Sequence, residues 1–276
     1  MPIITLTTDF GTKDPYLSAV KGRIYSQVDN ANIVDISNEI NPFNITEAAY
    51  VIKNAYQHFP EGSIHIVGLN VERNQKTKHL IVQYNKHYFI CADNGIISLI
   101  FDHDSTPDQI IAIETEISTN FPVLDIFCPI VCKIHQGTPI EILGNSIDEI
   151  TELSLLNATV NDDQNQITGN IIYIDHYGNI VTNITKSLFD TVARGRSADI
   201  TARSYTFHKI YKSFADFSNE KMEAGFSNYD GERLALFNSA DYLQISIYKG
   251  NKNKGGTAFS LLGLYPESTT VTVNFK

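Results

Sequence analysis

Two short clusters hold the residue types from which ligand chemistry can be built. The first is Thr7-Thr8-Asp9-Phe10-Gly11, which follows the apolar run Ile3 to Leu6. If that run is a buried strand, Asp9 lies just past its carboxyl end, where open α/β sheets bind ligands. A carboxylate there accepts two hydrogen bonds from a vicinal diol, such as a ribose 2′,3′-diol. A turn-forming Asx residue is the equal alternative. The second cluster is Asp175-His176-Tyr177-Gly178-Asn179, followed by Thr182-Asn183. The Asn179 amide can pair with a donor and an acceptor on a base edge, and Tyr177 offers a flat face for stacking. On residue types alone, a hairpin turn built from Gly and Asn is the simpler reading.

Other chemistries fail on spacing. Cys128 and Cys132 lie on an apolar helical stretch and read as small core residues. His87 and Cys91 share a strand face but stand roughly 13 Å apart along it, too far to chelate one ion. The other histidines are scattered, so no metal site is expected. There is no GxxxxGK[ST] phosphate loop, no GxGxxG and no GxSxG.

The elements that must position these residues follow from periodicity. Asp14-Pro15 reads as a helix start, with Asp14 as the cap, and Val20, Ile24 and Val28 continue the stripe. Ile33 to Ile36 reads as a strand. Ile45, Ala48, Ala49, Ile52, Ala55, Tyr56 and Phe59 form one helical face. Strands are expected at Ser63 to Leu69, His79 to Gln83 and His87 to Cys91, and a helix at Asp125 to His135. This alternation predicts an α/β domain over residues 1–165. The polar run Asn161 to Gln166 marks its end. Short β-rich segments follow at 169–174, 200–211, 233–237, 242–248 and 269–275, with one short helix near Ala258 to Leu262. They predict an all-β, barrel-like domain over residues 166–276.

The chain has 276 residues and a formal net charge of -10. Two domains with real cores fit that length. The acidic balance opposes binding to nucleic acid or to anionic membranes. Three cysteines without a CxxC pair predict a reducing, cytoplasmic setting. The N-terminal segment reads as a strand and not as a signal peptide, and no apolar run reaches the roughly 20 residues of a membrane span.

Taken together, the clusters resemble the S-adenosylmethionine (SAM) hydroxide adenosyltransferase family, the relatives of the SAM-dependent chlorinases and fluorinases. The first block is Thr8-Asp9-Phe10-Gly11 with Asp14, Tyr16 and Lys21-Gly22. Asp35-Ile36, Ile40-Asn41-Pro42-Phe43-Asn44-Ile45 and Ala48-Ala49 form the second, and Phe59-Pro60-Glu61-Gly62-Ser63-Ile64-His65 the third. Asp93-Asn94-Gly95, Ile174 to Asn179 with Thr182-Asn183-Ile184, and Asn238-Ser239 with Tyr242-Leu243 continue the series. Gly250-Asn251 and Leu262-Gly263 close it, so the likeness spans nearly the whole chain.

The resemblance implies a homotrimer that binds an adenosyl ligand between the first domain of one subunit and the second domain of its neighbour. It places the ribose diol at Asp9 and the sugar against Phe43. Adenine pairs with Asn179 and lies against Tyr177 and Phe214. Asp175 lies near the methionine amine, and backbone near Asn238 and Ser239 completes the pocket. The implied reaction is attack of water at ribose C5′ with methionine leaving. SAM is then substrate or ligand, and no cofactor is implied. Hydrolytic members use an Asp and an Arg in an Asp-Pro-Gly-Val-Gly-x-x-Arg loop and a His in a Phe-His-Gly-Arg-Asp segment.

This chain departs at both places. Asn70-Val71-Glu72-Arg73 replaces Asp-Pro-Gly-Val, Thr77 falls at the Arg position, and Phe121-Pro122-Val123-Leu124-Asp125 puts Pro122 at the His position. Val123 replaces the small polar residue that would meet a halide. Asn70, Glu72 and Arg73, with Lys76, are candidates for a replacement set in which Glu72 is the base and Arg73 orients it. A solvated charged loop is the alternative. Two functions are therefore expected: a SAM hydrolase that forms adenosine, or an inactive adenosine or SAM binder.

Overall fold

The run Ile3–Thr8 becomes β1 and alternates between two cores. Ile4 and Leu6 enter one core, whereas the Thr5 hydroxyl on the opposite face bonds His65 at 2.7 Å. This is the period of two that a strand buried on both faces imposes. The structure is a computed structural model and describes residues 2–74, 77–101, 105–153, 157–253, 256–266 and 269–276. It separates into two units, residues 1–155 and 156–276. That division precedes the polar run at 161–166.

In the first unit, β1 is followed by α1 (Tyr16–Tyr25), β2 (Asn32–Ser37), α2 (Ile45–Lys53), β3 (Ile64–Gly68), β4 (His79–Tyr84) and β5 (His87–Ala92). Then come α3 (Ile96–Ile100), β6 (Gln109–Ile113), α4 (Cys128–His135) and β7 (Gly144–Ser146). Among the described residues, seven strands form one sheet in the order β2-β1-β3-β5-β4-β6-β7. β2, β1, β3 and β5 are mutually parallel, and the rest pair antiparallel. Leu17, Val20 and Ile24 of α1 join α4 on one face, while Ala48, Ala49 and Ile52 of α2 join α3 on the other. The second face buries a polar thread: His65 Nε2 lies 3.1 Å from His87 Nδ1, and the His65 ring stacks on Phe89 at 4.8 Å.

Three local expectations change. Asp14 does not cap α1, whose N-cap is Pro15 with no side-chain capping bond. The helical face starting at Ile45 stops at Lys53, because Asn54 turns its side chain onto the Tyr50 carbonyl at 2.7 Å. A separate 3₁₀ turn, Tyr56–His58, carries the face onward. The helix placed at Asp125 begins earlier, as a π turn over Val123–Phe127. Pro129 has no N–H to give Asp125, so the normal i→i−4 ladder is broken there. The Cys128 N–H reaches back to the Val123 carbonyl instead.

The second unit holds β8 (Thr159–Val160), β9 (Gln166–Ile174), β10 (Ile180–Thr185), α5 (Lys186–Ala193), β11 (Ala198–Ala202) and β12 (Tyr205–Phe207). It continues with β13 (Ile210–Tyr211), α6 (Phe214–Glu223), β14 (Arg233–Phe237), β15 (Tyr242–Ile247), α7 (Ala258–Leu262) and β16 (Thr270–Phe275). Among the described residues nine strands form its sheet, eight in the order β12-β11-β16-β9-β10-β15-β14-β13 and β8 against β9. The terminal strands β12 and β13 are joined by His208 and Lys209 alone, which curls the sheet into a nearly closed barrel. The expected class, an α/β domain followed by a barrel-like one, is the class this chain adopts. α7 falls where a helix was expected, and α5 and α6 are additional. The stretch 200–211 is split by a two-residue turn at Arg203, where φ is +52°.

No helix among the described residues is long and apolar enough to cross a membrane.

Candidate functional site

β1 lies between β2 and β3 and runs parallel to both. The chain leaves β1 on one side for β2 and crosses to the other side for β3. Connections that diverge in this way open a crevice at the carboxyl ends of the strands. Asp9 follows β1 directly, and Asn70 comes shortly after β3. Asp9 Oδ2 accepts the backbone N–H of Phe43 at 2.9 Å. Asn70 Nδ2 makes a long 3.5 Å contact to the Phe43 carbonyl, and Asn94 Nδ2 donates to the Leu69 and Asn70 carbonyls at 2.9 and 3.3 Å. Asp9, Phe43 and Asn70 thus share one hydrogen-bonded chain across the crevice.

Phe43 has φ +64° and is 69 % exposed. A bulky side chain holds that backbone state only where its surroundings enforce it. The turn carrying Asp9 is itself fixed from outside. The Gly11 N–H donates to the Asn38 carbonyl at 2.7 Å, and Thr8 Oγ1 donates to Asn38 Oδ1 at 2.8 Å. The Asp9 carboxylate therefore does not close an Asx turn on Gly11. Among the described residues it has no second hydrogen bond, so Oδ1 is open.

Beside Asp9 the first unit has a cleft of about 470 Å³. Phe10 and Tyr16 line one side, Val71, Glu72 and Arg73 another, and Thr119 to Pro122 a third. Phe10, Tyr16 and Phe121 pack mutually, with ring centroids 5.4 to 6.0 Å apart. A Cβ on Gly68, at the end of β3, would come within 3.1 Å of the Thr8 and Val123 side chains, which would have to give way by a few tenths of an ångström. Val123 is fully buried.

The loop after β3 is held at two points. His79, also fully buried, donates from Nε2 to the Val71 carbonyl at 2.8 Å. Burial pushes its pKa below the ordinary value, which favours the neutral ring. Arg73 Nη1 donates to the Thr115 carbonyl at 2.5 Å. No hydrogen bond or ion pair joins Arg73 to Glu72. Thr77 bonds to Asn74 through both its N–H and its hydroxyl. Lys76 lies outside the described residues.

In the second unit, Asp175 to Asn179 forms a tight turn between β9 and β10. Asp175 Oδ1 accepts the Asn179 N–H at 2.8 Å, and Oδ2 accepts Asn179 Nδ2 at 2.7 Å. Asn179 is buried, whereas Tyr177 is 71 % exposed. Gly178 has φ +75°, and a Cβ there would lie 2.4 Å from Thr257 Oγ1. Its carbonyl accepts the Phe259 N–H at 3.0 Å, which ties the turn to α7. Thr182 and Asn183 serve the sheet: Thr182 bonds the Leu243 carbonyl, and Asn183 accepts the Asn170 N–H. Asn238 Oδ1 accepts the N–H groups of Ala240 and Tyr242, which shapes the turn that exposes Ser239. Phe214, 40 % exposed, opens α6 behind its Ser213 cap.

The structure therefore brings Asp9, Phe43 and Asn70 together, and it gathers Glu72, Arg73 and Pro122 around one cleft. Asp175, Tyr177 and Asn179 share a turn, while Phe214 and Asn238-Ser239 stand on others. Sequence reasoning did not find the three-ring wall. The only available signal was two aromatic residues, Phe10 and Tyr16, flanking the Asp9 turn. Among the described residues no three His, Cys, Asp or Glu are grouped as metal ligands. Cys91, Cys128 and Cys132 are free and buried, and burial pushes the Cys128 thiol up to about 12.

Comparison with known proteins gives this geometry a context. The family model described as the SAM hydroxide adenosyltransferase N-terminal domain matches residues 4–144, and the C-terminal domain of the same description matches 169–270. The chain is 28% identical over 267 residues to an (R)-S-adenosyl-L-methionine hydrolase of Methanocaldococcus jannaschii, covering 92% of this chain and 91% of that one. It is 20% identical to the hydrolase of the same name from Salinispora tropica, over 96% and 95% of the two chains. It is also 20% identical to a fluorinase of Actinopolyspora mzabensis, over 72% and 77%. A crystal structure of an uncharacterized conserved protein from Thermotoga maritima shares the fold, with TM-score 0.82 at 23% identity over 99% and 100% of the chains.

Proposed function

The chain belongs to the SAM hydroxide adenosyltransferase family, and from that premise we propose that it binds SAM and hydrolyses it to adenosine and methionine. The observation that carries this reading is the Asp9 carboxylate. It stands at the switch point of a parallel sheet with one oxygen committed to Phe43 and the other open. A ribose diol needs such an acceptor. Phe43 walls the sugar. Asn179 pairs with adenine, Tyr177 and Phe214 cover the base, Asp175 meets the methionine amine, and backbone at Asn238 and Ser239 closes the pocket. The subunit arrangement belongs to the same proposal: a homotrimer in which the first unit of one subunit and the second unit of its neighbour share the ligand.

In the reaction, water oxygen bonds to C5′ as the C5′–S bond breaks. The electron pair goes to sulfur, and the sulfonium becomes the neutral thioether of methionine. A cationic leaving group needs no acid. The protein's work is to align the water and to exclude bulk solvent. No cofactor enters. The net charge of -10 argues against nucleic-acid or anionic-membrane partners, and the proposed location is cytoplasmic.

Incubating the purified protein with SAM and following adenosine by chromatography tests the reaction. Adenosine rising in proportion to enzyme is the expected result, and none above the blank overturns hydrolysis. A second reading, a binder without turnover, is favoured by one observation. Pro122 stands where an imidazole is expected and has no group that titrates. That reading predicts thermal stabilisation by SAM or adenosine with no product.

A further inference from the structure

We infer that Glu72 is the general base of this site and handles the attacking water in place of the residue that Pro122 replaces. The inference rests on the SAM hydrolysis proposed above and identifies the group that moves its proton.

The lining of the cleft leaves one choice. Among the described residues, Glu72 is the only carboxylate whose side chain lines it. Tyr16 offers a phenol and Arg73 a guanidinium, groups that donate hydrogen bonds. Threonine, asparagine, phenylalanine and proline offer no usable base. At the positions where the family places its water-handling groups, Asn70 is an amide, Thr77 is engaged with Asn74, and Pro122 caps the π turn. None of these can take a proton. Glu72 and Pro122 nevertheless line the same cleft.

A solvated charged loop is the competing explanation, and the anchoring of the loop argues against it. The residue before Glu72 is fixed by the His79–Val71 bond at 2.8 Å, and His79 is wholly buried. The residue after it is latched by Arg73 onto the Thr115 carbonyl at 2.5 Å. A loop clamped on both sides of one residue presents that residue in a restricted region. Glu72 itself forms no hydrogen bond or ion pair among the described residues, so its carboxylate is not spent on the fold.

The chemistry asks for one base and no acid. As the bond from water oxygen to C5′ forms, the Glu72 carboxylate takes the water proton and becomes a carboxylic acid. The C5′–S electron pair leaves with neutral methionine. The proton returns to solvent before the next turnover.

The test measures kcat for adenosine formation and the Kd for SAM in wild type, Glu72→Gln and Glu72→Asp. The expected result is a kcat for Glu72→Gln lower by roughly 100- to 10,000-fold, an unchanged Kd, and partial recovery in Glu72→Asp. The wild-type kcat falls toward acid pH, and that limb is absent from Glu72→Gln. Equal kcat in wild type and Glu72→Gln overturns the inference. So does a joint loss of kcat and affinity with the acid limb retained, because that pattern marks a structural role. A wild type that binds adenosine but forms none from SAM defeats the inference and leaves the adenosyl site standing. A wild type that binds neither adenosine nor SAM defeats the functional reading itself.

Discussion

The Asp9 carboxylate and the Phe43 backbone are joined by a 2.9 Å hydrogen bond that ties the end of β1 to the turn before α2. The bond gives Asp9 a structural task and a ligand-binding task through different oxygens, and substitution can separate them. In Asp9→Asn the amide oxygen still accepts the Phe43 N–H, but an NH₂ replaces the open acceptor. Stability is expected within about 0.5 kcal/mol of wild type. Adenosine affinity is expected to fall roughly 10- to 150-fold, the value of a hydrogen bond to a charged group. Calorimetric titration with adenosine, beside urea melts, checks both. Unchanged affinity would remove Asp9 from the site.

Phe43 combines an aromatic ring, 69 % exposure and φ +64°. Such a residue contributes little to the core and carries left-handed backbone strain. Phe43→Gly relieves about 1 kcal/mol of that strain and gives back a similar amount as unfolded-state entropy. The melting temperature is expected to stay nearly constant while adenosine binding weakens. A large loss of stability would show that the ring packs in the fold rather than waits for a ligand.

Gly178 and Gly195 both adopt positive φ, +75° and +84°, but a Cβ meets Thr257 Oγ1 at 2.4 Å in the first and open space in the second. Gly195→Ala is expected to cost about 1 kcal/mol from backbone strain alone. Gly178→Ala adds overpacking against the α7 cap, roughly 1–3 kcal/mol more. Urea denaturation of the two variants measures the difference. Equal losses would mean that the turn at Asp175 to Asn179 yields without disturbing α7.

The thread from Thr5 through His65 to His87 predicts acid sensitivity. Burial and the neighbouring His87 push the His65 pKa from its ordinary 6.5 down to about 3, and burial also lowers His87. Between those two values the unfolded chain binds a proton at His65 that the folded chain does not. The stability from neutral His65 is therefore complete above pH 6.5 and is lost as pH falls toward 3. The slope is about 1.4 kcal/mol per pH unit for one such group. Replacing His65 with Gln is expected to lower stability at neutral pH and to flatten this acid slope. A slope unchanged by the substitution would assign the acid sensitivity to other groups.

Short apolar runs bounded by turn signals made β1, β2 and β3 readable, and the 3.6-residue apolar face from Ile45 made α2 readable. α3 escaped because Ile96–Ile100 is uniformly apolar, and a short run of that kind has no period to separate helix from strand. α5 and α6 carry clear caps in Thr185 and Ser213, yet each lies beside strand-like segments that draw attention to a period of two. The choice between ligand group and Asx turn at Asp9 was undecidable locally. It depends on the Gly11 N–H, which finds Asn38 well away in the chain. The cleft was equally hidden, because Phe10, Glu72 and Phe121 meet only once the sheet order has brought their loops together. Pro122 was legible as a departure, whereas the loop that faces it across the cleft was not legible as anchored.

The barrel's terminal strands are short, three residues in β12 and two in β13. An open sheet edge is a template on which another chain can add a strand, and long flat edges invite aggregation. Here the stub ends offer an incoming strand too few unpaired amides to hold it. The second unit is thereby protected against edge-to-edge growth, and its surface is left to associate through side chains rather than through backbone.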